Sequence, residues 1–437
     1  MRHNRLAFVA VAASVGLIAT ACGGDDGGGD AAGGGGGETG APALEGTGPI
    51  TYVQGKDTSG FVQGVLDAWN AEHPDEEVTL IELPESADQQ RAQMIQNAET
   101  ESDAYSVISV DNVWTAEFAA NRYIVELPEE EFPVDEMLPP VIDSARYLDK
   151  LYAVPSASDG GMLYYRTDLL EAAGIAEPPG TWQEMIDQCE QINATPEGQG
   201  VPCYAGQFEK YEGLTVNASE AINSAGGVVT DDEGQPNVNT PEAAEGLNFL
   251  VNGFTEGYIP AEAITYKEEE GRRAFMEGRL IFHRQWPYQY ALANATDGSS
   301  PVAGKFDVAP LPGLDGPGAS SLGGHAAAIS AYAPNKASAL EFIKFLTSKE
   351  QNQANFELAS QTPIYTSIYD DEALIEKYPF LPILKESILN AVPRPKVVRY
   401  GDATLAIQEA AYGALTGEMT TEEALEQLQT KLEELTQ

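Results

Sequence analysis

The chain has 437 residues, room for two or three domains at about 150 residues each, and 43% of them are hydrophobic, enough to bury real cores. Against 24 lysines and arginines stand 68 aspartates and glutamates, a formal charge of −44. A surface that acidic repels nucleic acid and anionic lipid, which argues against phosphate-backbone recognition.

Residues 1–5, MRHNR, form a basic opening, and LAFVAVAASVGLIATA after them is an apolar run of signal-peptide length, short for a membrane span. The run ends in IATAC, small residues before Cys22 that resemble a bacterial lipobox, with Ala19 where that motif favours leucine. Residues 1–21 are therefore expected to be a cleaved signal, with Cys22 acylated; the alternative is an ordinary secretory signal. Residues 22–47 are Gly-rich and read as a flexible tether for a body held off a membrane.

From residue 48, strands and helices alternate. PITYV reads as a strand, and GFVQGVLDAWNAEHP as a helix with Phe61, Val65, Leu66 and Trp69 on one face. EVTLIEL is a second strand, ADQQRAQMIQNAETE an amphipathic helix, and YSVISVD a third strand ending at Asp111. This order predicts an α/β sheet with crossover helices, whose ligands sit beyond the carboxyl ends of the strands. A second α/β series starts at YLDKLYAVPSASDGGMLYYRTDLL. Cys189 and Cys203, in an exported chain, read as a disulfide. The four histidines are scattered and no CxxC occurs, so no zinc site is expected. GRLIFH is a short buried strand that runs into RQWPYQY, residues 284–290, where rings and an arginine either plug a core or line a binding site. Near the end, Thr420 and Glu423 form a capping-box pattern, and Leu425, Leu428, Leu432 and Leu435 a packing stripe.

The ordered motifs LDAWNAEHP, AYSVISVDNVWTAEFAANRYIVEL, VPSASDGGMLYYRTDLL, KYEGLTVNASEAINSAGG, GRRAFMEGRLIFHRQWPY, PLPGLDG with SLGGHAAAIS, ALEFIKFLTS and AVPRPKVVRYGDATLAIQ together resemble a known family. It is the extracellular solute-binding proteins of carbohydrate-uptake ABC transporters, family 1, and within it the trehalose/maltose-type members. The resemblance implies an α/β, two-lobed, type II periplasmic-binding-protein-like fold with discontinuous lobes, a hinge and a ligand cleft between them. It places residues 48–155 and 311–362 in the N-terminal lobe and residues 156–310 and 363–437 in the C-terminal lobe, with crossings near Pro155, Pro310 and Thr362. It further implies a monomeric lipoprotein on the outer face of the cytoplasmic membrane, without enzymatic activity or cofactor, that passes a di- or oligosaccharide to permease subunits.

A sugar presents hydroxyl edges and weakly apolar ring faces, which carboxylates, Arg forks and aromatic rings answer. By resemblance Trp286 is the first choice for a stacking platform and Tyr288 the second, the alternative for Trp286 being core packing. Asp111 reads as a hydroxyl acceptor or as the cap of the helix after it. Lys56 and Asp57 match the family's first-loop contact, and Asp159 lies at the first crossing beside Gly160 and Gly161. Tyr211 and Glu212, from YEGL, read as site residues or as a solvated loop. Gly323 and Gly324 offer backbone N–H groups at an expected helix start, and His325 stands where the family often has Trp. Arg394, and after it Arg399, supply the arginine of the last loop; the alternative is an inter-lobe or surface ion pair. Two rival functions stay open: a secreted glycoside hydrolase, since carboxylates abound, and a binding protein for a peptide or polyamine.

Overall fold

The computed structural model describes residues 44–231 and 234–436. The expected signal, Cys22 and most of the tether lie outside the described residues.

Two sheets organise the chain. The first has five strands in the order Val78–Leu83, Ile50–Gly55, Val107–Asp111, Leu322–Ile329 and Val154–Gly160. Its first three strands run parallel, while Leu322–Ile329 lies antiparallel between Val107–Asp111 and Val154–Gly160, with His325 opposite Asp111. The second has four: Phe306–Ala309, Met162–Arg166, Phe282–Gln285 and Tyr204–Ala205. Central strands such as VISV are buried on both faces, as a sheet covered by helices requires. The helix Val62–Glu72 lays Val62, Val65, Leu66 and Trp69 against the first sheet. Leu66 has no exposed surface, which is worth about 2 kcal/mol, and Trp69 packs edge-to-face on Phe342 and tilted against Phe345. Cys189 and Cys203 form a disulfide with a Cα–Cα distance of 5.5 Å, tying the helix Trp182–Asn193 to the strand that follows it. Among the described residues no helix is long and apolar enough to cross a membrane.

The chain passes between the sheets three times, and two passages differ from the sequence expectation. Pro155 pairs with Ala326 inside the first sheet. The strand continues to Gly160, and Met162 already belongs to the second sheet, so the passage falls at Gly161. The small residues of VPSASDG pack as a buried strand where a connecting segment was expected. The second passage lies between Ala309 and Leu322. The third does not fall near Thr362. Tyr365 bridges to Met137 and its hydroxyl donates to the Thr347 carbonyl at 2.8 Å. The helix Leu381–Leu389 packs on the strand Val154–Gly160, whereas the helix Tyr400–Leu415 packs on Glu212–Ser224. Residues 363–389 therefore sit with the first sheet, and the passage is 390–399.

The three passages are bonded to one another. The Gly161 N–H donates to the Ser320 hydroxyl at 2.6 Å, and the Ser387 hydroxyl donates to the Gly161 carbonyl at 2.9 Å. Val392 N–H donates to the Ser320 carbonyl at 2.8 Å, and Leu322 N–H to the Val392 carbonyl at 3.1 Å. Few strands cross, and they cross together, which is the arrangement of a hinge.

Candidate functional site

The carboxyl ends of the first-sheet strands face the second sheet across a cleft, where an open α/β sheet leaves room for a ligand. A cavity of about 250 Å³ occupies it, lined from the first lobe by Lys56, Gln90, Asp111 and Asp159, and from the second by Glu212, Glu268, Glu269, Trp286 and Tyr288. A second space of about 230 Å³ adjoins it and shares Lys56, Asp159, Tyr288 and His325. Gly323 and Gly324 line the first cavity too, from the strand Leu322–Ile329 and not from a helix start. Two glycines at the strand's entry keep its backbone bare. A Cβ at Gly323 would sit 2.7 Å from the Trp286 ring, and Gly324, at φ +115°, would bring one to 2.4 Å from the Ala157 carbonyl.

Arg394 closes the floor. Its Nη2 donates to Asp111 Oδ1 at 2.8 Å and to Asn112 Oδ1 at 3.1 Å, and its Nη1 donates to Glu212. Glu212 also accepts from the Tyr400 hydroxyl, and from the Thr404 hydroxyl at 2.6 Å. One guanidinium thus joins a first-lobe strand end to the first residue of a second-lobe helix. Burial alone would lower the Arg394 pKa, but the charges of Asp111 and Glu212 hold it well above the ordinary value. Arg394 Nε is buried without a hydrogen-bond partner. A second tie runs beside it: the Glu212 N–H donates to Asp88 Oδ2 at 3.2 Å, so a first-lobe carboxylate caps the second-lobe helix Glu212–Ser224.

The other carboxyls are less well compensated. Asp159 accepts from the Thr362 hydroxyl at 2.6 Å, and burial pushes its carboxyl above the ordinary value. Burial does the same to Glu268. Glu269 feels burial too, but the hydrogen bonds from Arg272 and the Tyr288 hydroxyl, the latter at 2.8 Å, outweigh it and hold that carboxyl low. Trp286 lies half-buried with the Arg284 guanidinium carbon 3.8 Å from its ring centroid.

Several expected residues carry other bonds, although Lys56 and Asp57 also line the second space. Asp57 accepts N–H bonds from Ser59, Gly60 and Val62, the last two at 2.8 Å, and so holds the turn into the helix Val62–Glu72. Lys56 pairs with Glu85 at 3.1 Å. Tyr211 is buried, carries the Lys267 ammonium 5.5 Å from its ring centroid, and is not among the residues lining either space. Arg399 is exposed and pairs with Asp402 on its own helix turn at 2.6 Å. It is outside the cleft because it is the last residue of the passage, at the N-cap of the helix Tyr400–Leu415. No local signal in the sequence marks Glu268 and Glu269, which sit in a run of three glutamates, or the buried pair Arg284–Glu220, whose members are 64 residues apart. Among the described residues no cluster of His, Cys, Asp and Glu could hold a metal ion.

The sequence pattern of the bacterial extracellular solute-binding proteins matches residues 53–353. A probable ABC transporter-binding protein of Deinococcus radiodurans is 34% identical over 377 residues, 84% of this chain and 88% of its own. A mannitol-binding protein of Pseudomonas aeruginosa is 27% identical over 83% of this chain and 87% of its own. Among solved structures, maltose-bound T. maritima MalE3 superposes with a TM-score of 0.83 at 33% identity, over 89% of this chain and 99% of that one. The two-lobed type II architecture is shared with these proteins.

Proposed function

The chain belongs to the bacterial extracellular solute-binding proteins, and from that premise we propose that it captures an α-linked di- or oligosaccharide, of the trehalose or maltose kind, in the inter-lobe cleft. It then delivers the sugar to the permease of an ABC importer. One observation carries the reading: a single cavity gathers an aromatic ring, Trp286, and carboxylates from both lobes around the bare backbone of Gly323 and Gly324. The ring suits a sugar's C–H face and the carboxylates suit its hydroxyls. A wrong epimer would leave buried groups unpaired, at about 1–3 kcal/mol each. The maltose-bound relative at 33% identity supports the same ligand class.

Capture is closure of two lobes about the three bonded passages. A ligand that touches both lobes binds the closed form better and shifts the population toward it. The protein acts as a monomer, holds no cofactor and performs no chemistry of its own. Cys22 carries the lipid that keeps it at the outer face of the cytoplasmic membrane; a Cys22→Ala chain would be released to the medium.

One observation keeps a hydrolase in view: burial raises the carboxyls of Asp159 and Glu268, as a general acid needs. Thermal shift against trehalose, maltose and sucrose, run beside a chromogenic α-glycoside, separates the two. A saturable rise in melting temperature without release of chromophore supports capture; turnover overturns it.

A further inference from the structure

We propose that Arg284 is a positioning residue for ligand capture: anchored by Glu220, it backs one face of the Trp286 ring and ties that ring to the passages between the lobes. The inference rests on the reading of the cleft as a sugar site, but its first test needs no sugar.

Arg284 is 1% exposed, and Glu220 4%. The pair is bidentate, with Nε 2.7 Å from Oε2 and Nη2 donating to Oε1. Nη1 donates to Gln207 Oε1 at 3.1 Å, and Gln207 returns a bond to the Arg284 carbonyl at 3.2 Å. The guanidinium is therefore fixed in plane and position before it meets the ring. Its carbon stands 3.8 Å from the Trp286 centroid, in the range of a desolvated cation–π contact. A Cβ at Gly161 would lie 2.7 Å from Nη2, so the glycine leaves room for this stack. On the ring's far edge Gly323 does the same, at 2.7 Å from Cζ3. With one face covered and one edge against bare backbone, Trp286 has a single face left for the cavity it lines. That face is presented without the rotamer entropy a free indole would lose on binding.

The anchor reaches further. Glu220 Oε1 also accepts from the Ser321 N–H at 3.0 Å and the Ser320 hydroxyl at 3.3 Å. Ser320 in turn accepts from the Gly161 N–H at 2.6 Å. Two of the three passages thus bear on the carboxylate that holds Arg284. Rotation of the lobes and placement of the ring share one polar network, though neither Arg284 nor Glu220 lines the cavity.

Arg284→Lys keeps a cation opposite Glu220 and loses the planar cover. Trp69, Trp114 and Trp182 are 3%, 1% and 7% exposed, so the emission lost on Trp286→Ala reports the half-buried ring. Acrylamide quenching of that component is expected to rise about twofold in Arg284→Lys, as the ring, no longer held against a fixed guanidinium, gains motion into the cavity. Maltose affinity, measured by calorimetry, is expected to fall about tenfold in the wild-type background and to stay within about twofold in the Trp286→Ala background. Unchanged quenching, or equal loss of affinity in both backgrounds, overturns the proposal. If Arg284→Lys melts far below the wild type, Glu220→Gln, which keeps the shape and removes the charge, replaces it in both measurements. If maltose does not bind the wild type, the sugar reading fails for that probe and quenching alone decides the positioning role.

Discussion

Arg394 Nη2 lies 2.8 Å from Asp111 Oδ1, and through this bond the last passage between the lobes is joined to the carboxyl end of a first-sheet strand. The same guanidinium holds Glu212 at the start of a second-lobe helix. Three elements distant in sequence meet at one charge.

Removing that charge strands two carboxylates. Asp111 and Glu212 have side chains 14% and 5% exposed, so Arg394→Ala is expected to cost about 3–5 kcal/mol of stability, as for a broken buried pair. Urea unfolding measures it. A loss under about 1 kcal/mol would mean that Tyr400 and Thr404 satisfy Glu212 by themselves.

Trp286→Ala removes the ring and little else that supports the fold, since the residue is only half-buried. Maltose affinity is expected to fall at least tenfold, about 1.4 kcal/mol, by calorimetry. Retained affinity with an intact melting curve would move the stacking platform elsewhere.

The disulfide closes the loop between Cys189 and Cys203, which lie 14 positions apart. Cys189→Ser with Cys203→Ser is expected to lower stability by about 3 kcal/mol on the chain-entropy account, read from denaturant midpoints. Reduction of the wild-type protein should reproduce the shift, and an equal midpoint for oxidised and reduced protein would refute it.

His283 is fully buried on the strand Phe282–Gln285, with Nδ1 3.0 Å from Gln289 Oε1, and burial pushes its pKa from 6.5 down to about 3. As pH falls, the unfolded chain takes up this proton first. Stability from the neutral ring is complete above 6.5 and is lost progressively between about 6.5 and about 3. The advantage of wild type over His283→Gln is expected to shrink by about 1.4 kcal/mol between pH 8 and pH 5.5. A difference independent of pH would place the proton on the folded histidine as readily as on the unfolded one.

The alternating strand–helix run from Ile50 to Asp111 is legible in sequence because each apolar residue has a local periodicity to report it. Trp286 and Arg394 are reached through the family resemblance, since RQWPY and RPKVVRY match motifs that the family places at the cleft. The third passage was misplaced because residues 363–389 are held to the first lobe by Tyr365 and by the helix Leu381–Leu389, contacts that no local pattern announces. Glu268 and Glu269 were invisible for the opposite reason: in a chain with 68 acidic residues, three consecutive glutamates carry no signal. Arg399 and Arg394 lie five positions apart on similar segments, and only the start of the helix at Tyr400 separates an exposed ion pair from the cleft floor.

The most direct test is a crystal structure of the mature chain grown with maltose. Sugar rings lying on the open face of Trp286, with hydroxyls bonded to carboxylates of both lobes, are the expected result. Maltose bound outside the cleft, or within it but touching one lobe alone, would contradict capture by closure.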